Sequence, residues 1–193
     1  MQTEVRFMTY GELFNCLPQL RQAVIKLEPC VSDETDFLKY ALLNQAYKET
    51  LQRLGGIRLS DDVSFLNTPH ALLRALDKKE TKEVLVDRGL RVTPMLPSPH
   101  SFDELRELLA SCGRGCFLKP RYGSGAGGIM AVRYQPSRNK WVVYTTLQQV
   151  DGVIHNTKRI HRLSTEKEMI PLAEAVMQTE AILEEWIPKE QLQ

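Results

Sequence analysis

The stretch that most constrains this chain is a run of glycines set between two β-patterned segments. Phe117-Leu118-Lys119-Pro120 is a short apolar run interrupted by one lysine, and Gly123, Gly125, Gly127 and Gly128 follow it. Ile129-Met130-Ala131-Val132-Arg133-Tyr134 then returns to a β-favouring texture. Glycine lacks a Cβ, so its backbone N–H groups can turn toward one point and approach it closely. Several such amides beside a lysine ammonium suit the oxygens of a phosphate chain.

Three phosphate-binding loops compete for these residues. Gly123, Gly125 and Gly128 satisfy G-x-G-x-x-G, but a dinucleotide fingerprint must follow a strand directly and open a helix. Here Pro120 intervenes and residues 129–134 read as a strand. A P-loop would close on Gly-Lys-Ser/Thr, which is absent. What remains is strand, pliant flap, strand: a hairpin lid with a lysine on its first strand. Protein kinases use the same physics with flap and lysine on different strands. The competing reading is an ordinary surface hairpin.

The chain has 193 residues, enough to bury a core as one domain or two small ones. Hydrophobic content of 42% and charged content of 25% are those of a soluble globular protein. A formal net charge of +1 gives no global field for nucleic acid or anionic lipid. Met1-Gln2-Thr3-Glu4 lacks a signal-peptide profile, and no apolar run approaches membrane-spanning length. The expectation is a cytoplasmic protein with neither nucleic acid nor membrane as partner. Cys16, Cys30, Cys112 and Cys116 fit reduced structural thiols. Cys112 and Cys116 flank Gly113-Arg114-Gly115, but no second Cys/His pair stands at zinc-ligand spacing.

In chain order, residues 4–10 alternate as a strand with Val5 and Phe7 on one side. Residues 11–17 read as a helix up to Pro18, and residues 19–27 as its resumption. Ser32 is the expected cap of a helix through Phe37, Leu38, Ala41, Leu42 and Leu51, stopped at Gly55-Gly56. Residues 57–59 follow as a short strand. Thr68 caps a helix with Pro69 in its first turn. A further helix runs from Lys78 to a stop at Gly89, then residues 90–94 are extended. Ser101 and Glu104 form a capping box for a helix to Ala110. Beyond the glycine hairpin, residues 135–139 turn into a strand over 141–145, and Asp151-Gly152 turns into a basic extended piece, 157–162. Residues 165–178 read as a helix and 181–187 as an apolar strand ending at Pro188. The basic piece is read as a solvated strand face.

This order of parts resembles the ATP-grasp family. The resemblance rests on Asp77-Lys78, Val92-Thr93-Pro94, Phe117-Leu118-Lys119-Pro120, Gly123-Ser124-Gly125-Ala126-Gly127-Gly128-Ile129 and Leu183-Glu184-Glu185-Trp186-Ile187-Pro188-Lys189. It runs from about Asn67 to the end and is nearest to the carboxylate–amine ligases that modify ribosomal protein and lysine-biosynthesis carriers. It implies an α/β (α+β) fold: a truncated α/β unit over 1–62, then a nucleotide-binding subdomain over 63–193 with an antiparallel sheet and flanking helices. The implied ligands are ATP and magnesium, with carboxylate and amine substrates left open and operon-encoded partner proteins allowed.

Carried over by position, Lys78 and Lys119 would meet the ATP phosphates from two directions. Ser124, Gly125, Ala126 and Gly127 would form the lid. Glu185, or the backbone beside it, would take the adenine amino group, and Trp186 and Ile187 would offer backbone contacts to the ring edge. Glu184 and Glu185 alternate across a strand, so only one can face the site. Lys78 also reads as a solvated lysine beside Lys79 and Lys82, and Trp186 as core packing. Relatives of this kind continue into a second half that carries the magnesium carboxylates, and the sequence given stops at Gln193. The expectation is therefore the ATP-binding portion of a ligase that cannot complete the reaction alone. The alternatives are a non-catalytic nucleotide- or partner-binding module, or a phosphotransferase using the same lid.

Overall fold

The glycine stretch forms the turn of a β-hairpin near the middle of a six-stranded sheet. A computed structural model describes residues 4–29 and 34–187, the side chain of Lys158 excepted. In it β4 (Cys116–Pro120) and β5 (Met130–Gln135) are antiparallel, with Phe117 opposite Ala131 and Leu118 opposite Met130. On one side β5 pairs with β6 (Lys140–Val150), which pairs with β7 (Val153–Leu163). On the other, β4 pairs with β8 (Ala181–Glu185), which pairs with β3 (Met95–Leu96). The order is β3-β8-β4-β5-β6-β7, antiparallel throughout. The β6–β7 turn is Asp151-Gly152 with φ of 49° and 81°, the positive pair that a two-residue hairpin with native twist requires.

Helices α5 (Phe102–Cys112) and α6 (Glu166–Met177) cover one face of this sheet. Leu105, Leu109, Met169, Leu172 and Val176 bury there against Cys116, Leu118, Met130, Val132 and Val143. Each such large side chain contributes roughly 1.5–3 kcal/mol by leaving water. Ser101 caps α5 by accepting from the Glu104 amide at 3.2 Å. The Glu104 carboxylate takes the His100 amide at 2.8 Å, so the return bond of the expected capping box is displaced by one residue.

The earlier residues build a second hydrophobic cluster. It is formed by α1 (Tyr10–Cys16), a 3₁₀ turn over Leu17–Gln19, β1 (Ala23–Ile25), α2 (Phe37–Gly55), β2 (Val63–Phe65) and α3 (Pro69–Leu76). Leu13, Leu17, Leu27, Tyr47, Leu51 and Leu54 are its buried members, and Phe65, Leu72, Leu73 and Leu76 pack against them. β1 and β2 pair in parallel as a separate two-stranded sheet. Phe37, at the first turn of α2, instead belongs to the core beneath the large sheet. After α3, Asp77 ends one helix and caps the next, α4 (Lys78–Asp87).

Several expectations for the first third are corrected. Residues 4–9 form no strand; Val5 is 73% and Phe7 97% exposed, and the chain enters α1 at Tyr10. The signal overlooked is Thr9-x-x-Glu12, a reciprocal capping box in which the Glu12 amide donates to the Thr9 hydroxyl and the Thr9 amide to the Glu12 carboxylate. Residues 19–27 do not resume the helix, because after Pro18 and Leu20 the chain extends to pair with β2. The second strand lies at Val63–Phe65 and not at 57–59, since it is placed by its parallel register with β1. Similarly, the segment after α4 becomes a strand at Met95–Leu96, where β8 supplies a partner, and not over 90–94. β8 ends at Glu185, two residues before the expected limit. Asp36 caps α2, through the Leu38 and Lys39 amides. Ser32, Cys30, Pro188 and Lys189, singled out in the sequence, lie outside the described residues. Among the described residues no helix is long and apolar enough to cross a membrane.

Candidate functional site

Strand alternation sorts the residues of β4 and β8 onto two faces. Cys116 and Leu118 point into the helix-covered core, so Phe117 and Lys119 point to the other side. The register places Glu184 opposite Phe117 and Ile182 opposite Lys119. One row across that face reads Glu184, Phe117, Ala131, Tyr144, Arg162. The row runs from an acidic residue through two aromatic ones flanking Ala131 to a basic residue.

Lys119 Nζ donates to Glu184 Oε1, and Lys82 Nζ approaches Glu184 Oε2 at 2.5 Å. Lys82 also donates to the Thr93 carbonyl at 2.9 Å and to its hydroxyl, and that hydroxyl donates on to Glu184 at 3.2 Å. Lys78, one helical turn before Lys82, donates to the carbonyls of Pro120 at 3.0 Å, Arg121 at 3.4 Å and Gly123 at 2.8 Å. Lys82 and Lys119 thus share the Glu184 carboxylate, while Lys78 is held by backbone carbonyls at the base of the glycine loop. All three are held below the usual lysine range. For Lys78, burial and the charge of Lys119 bring the value down to about 8. Burial acts first on Lys119, with Lys82 adding to it, and burial acts on Lys82. The Glu184 side chain is only 6% exposed. Desolvated like charges with one counter-ion leave a positive excess that an anion would relieve.

The nearest further acid is committed elsewhere. Asp77 accepts from the Lys79 and Glu80 amides and takes both arms of Arg121, Nε–Oδ1 2.9 Å and Nη2–Oδ2 2.6 Å. Tyr122 donates a further bond to it at 3.2 Å, and Arg121 also reaches Glu180 at 3.4 Å. This network pins the start of the glycine loop to the head of α4.

The expected site residues divide accordingly. Lys119 and Lys78 come together, Lys78 at the base of the loop and Lys119 on the sheet. Glu185 faces away from Lys119: it lies in register with Cys116 and pairs with Arg114 at 2.9 Å. Glu184 is the one on the lysine side. Trp186 lies on the Phe117 side, ring centroids 5.4 Å apart, with the Arg133 guanidinium 5.3 Å from its ring. Its amide donates to Gly115 O at 2.7 Å and is therefore occupied within the sheet margin. Ile187 is 55% exposed at the end of the described chain. Lys82 and Thr93 were named in the sequence without a role in the site, and Glu184 only as the alternative to Glu185. The i,i+4 spacing of Lys78 and Lys82 on one helix was the available signal.

Ser124, Gly125, Ala126 and Gly127 form a turn that leads into β5 with no intervening helix. The loop rests on α2. A Cβ at Gly128, where φ is +72°, would stand 2.4 Å from Phe37 Cε2, so the residue must be glycine for reasons of both space and backbone. Among the described residues no group of three or more His, Cys, Asp or Glu side chains could hold a metal ion.

Comparisons with protein-family models, with curated proteins and with solved structures return no match for this chain.

Proposed function

We propose that this chain is the ATP-binding portion of an ATP-grasp ligase, which activates a carboxylate as an acyl phosphate for attack by an amine. One observation carries the reading: Lys82 and Lys119 converge, partly buried, on the single carboxylate of Glu184, with Lys78 at the base of the glycine loop. A polyphosphate is the common ligand that supplies several negative charges to such a cluster. Lys119 and Lys82 would neutralise its oxygens in a site of low dielectric, where such contacts are strongest. The Phe117 and Trp186 rings, tilted by 48° to one another, offer an apolar surface beside Lys119 for a base. The glycine loop would exclude water from the phosphates.

Magnesium is the group this reaction class ordinarily uses to bridge phosphates. No step is assigned through it. The roles of the chain's own groups are binding, charge neutralisation and enclosure. A phosphotransferase would use them identically with a hydroxyl acceptor, and identification of the product, amide or phosphate ester, separates the two.

The test is calorimetric titration of the chain with ATP and with adenosine. ATP binds and adenosine binds far more weakly. A contact between charged groups is worth roughly 1.5–3 kcal/mol, so Lys119→Ala weakens ATP binding about ten- to a hundredfold. Equal affinity of wild type and variant would remove Lys119 from the site and the reading with it.

A further inference from the structure

The glycine loop is held by a side chain outside it. Tyr40, on α2, donates its hydroxyl to Ser124 O at 2.9 Å and accepts from the Ser124 amide at 3.4 Å. The same ring lies where a side chain at Gly127 would begin, with Tyr40 Cε1 2.9 Å from the position of a Cβ. Asn44, one turn later, stands 3.2 Å from the Cβ position of Gly123, and Phe37, one turn earlier, closes on Gly128. Phe37, Tyr40 and Asn44 lie at i, i+3 and i+7 and so form one stripe of α2. Three glycines of the loop fit against that stripe.

The docked loop presents the wrong groups for a phosphate. The carbonyls of Pro120, Arg121 and Gly123 face the Lys78 ammonium, and the Ser124 amide is engaged by Tyr40. An anion needs donors, and in this arrangement the lysine is already satisfied by acceptors. The geometry points to Tyr40 as a positioning residue that latches the glycine loop in a resting state on α2, from which it must be released before its amides can enclose a polyphosphate. The latch follows from the contacts alone, and its effect on affinity rests on the nucleotide reading above. A ligand that binds only the released loop binds more weakly in proportion to the fraction latched.

The experiment compares wild type with Tyr40→Phe, which keeps the ring and removes the hydroxyl, by amide hydrogen exchange without ligand and by calorimetry with ATP. Losing the hydroxyl's bond to Ser124 O, and the longer one from the Ser124 amide, speeds exchange over residues 123–128 and tightens ATP binding, each by about three- to tenfold. Gly127→Ala, which crowds the ring, has the same effect in the wild-type background and loses it when combined with Tyr40→Ala. Unchanged exchange in Tyr40→Phe would overturn the latch. Faster exchange with weaker ATP binding would overturn the resting-state assignment, since Tyr40 would then serve the bound loop. Faster exchange in a protein that binds no ATP in either form keeps the latch and removes the nucleotide reading.

Discussion

Lys78 shows how one residue answers to two demands. Its ammonium caps three carbonyls at the root of the glycine loop, yet it is buried beside a second lysine, and its pKa is down to about 8. In the unfolded chain the same group binds its proton up to the ordinary value of 10.5. Between these values the unfolded state holds more protons than the folded one, so stability rises with pH across that window. Below about pH 8 the cost of the buried charge is present in full. Urea midpoints measured from pH 7 to pH 10 should therefore climb in wild type relative to Lys78→Met, which has nothing to titrate there. A parallel pair of profiles would show that Lys78 keeps an ordinary pKa. From sequence, Lys119 was legible as a candidate because a lysine inside an apolar run demands a partner, and Lys78 only through the resemblance. That the partner is Glu184 and not Glu185 was not legible, since alternation says only that the two point apart.

At the scale of elements, the joint between α3 and α4 organises the approach to the site. Thr68 caps α3 by accepting from the Ala71 amide at 3.2 Å, and Asp77 both ends that helix and caps α4. Asp77 is 4% exposed and holds Arg121 by two arms, which fixes the loop that follows β4 to the helix that carries Lys78 and Lys82. Taking away one member of such a pair strands the other, at a typical cost of about 3–5 kcal/mol for a buried pair. Arg121 keeps some contact with water and with Glu180, so Asp77→Ala is expected to cost about 2–4 kcal/mol in chemical unfolding. Asp77→Asn retains the cap and should cost less. Equal stability of Asp77→Ala and wild type would show that the joint is not held by this pair. The sequence announced the Thr68 cap through residue type and Pro69, because capping is local chemistry. It did not announce the bond to Arg121, which joins residues 44 apart in the chain.

At the scale of the molecule, α2 links the two hydrophobic clusters. Its first turn places Phe37 under the large sheet, and its later turns place Tyr47, Leu51 and Leu54 in the other cluster. The side chain of Phe37 is fully buried and also floors the glycine loop at Gly128. Phe37→Ala should cost about 3–5 kcal/mol as a large-to-small core change. Because the ring touches the loop as well as the core, hydrogen exchange should rise over residues 123–128 together with α2. A loss of stability without faster loop exchange would separate the two roles.

Sequence alone determined the elements whose signals are local. The glycine hairpin, the Asp151-Gly152 turn, the helices capped at Thr68 and Ser101 and the strand that begins at Ala181 follow from backbone freedom, caps and side-chain period, which act within a few residues. Tertiary structure decided what depends on a distant partner: the parallel pairing that turned residues 23–25 into a strand, the face taken by Glu184, the recruitment of Lys82 and the docking of the loop on Tyr40. Those outcomes rest on register and burial between segments tens of residues apart, and no local pattern of residues encodes the far side of such a contact.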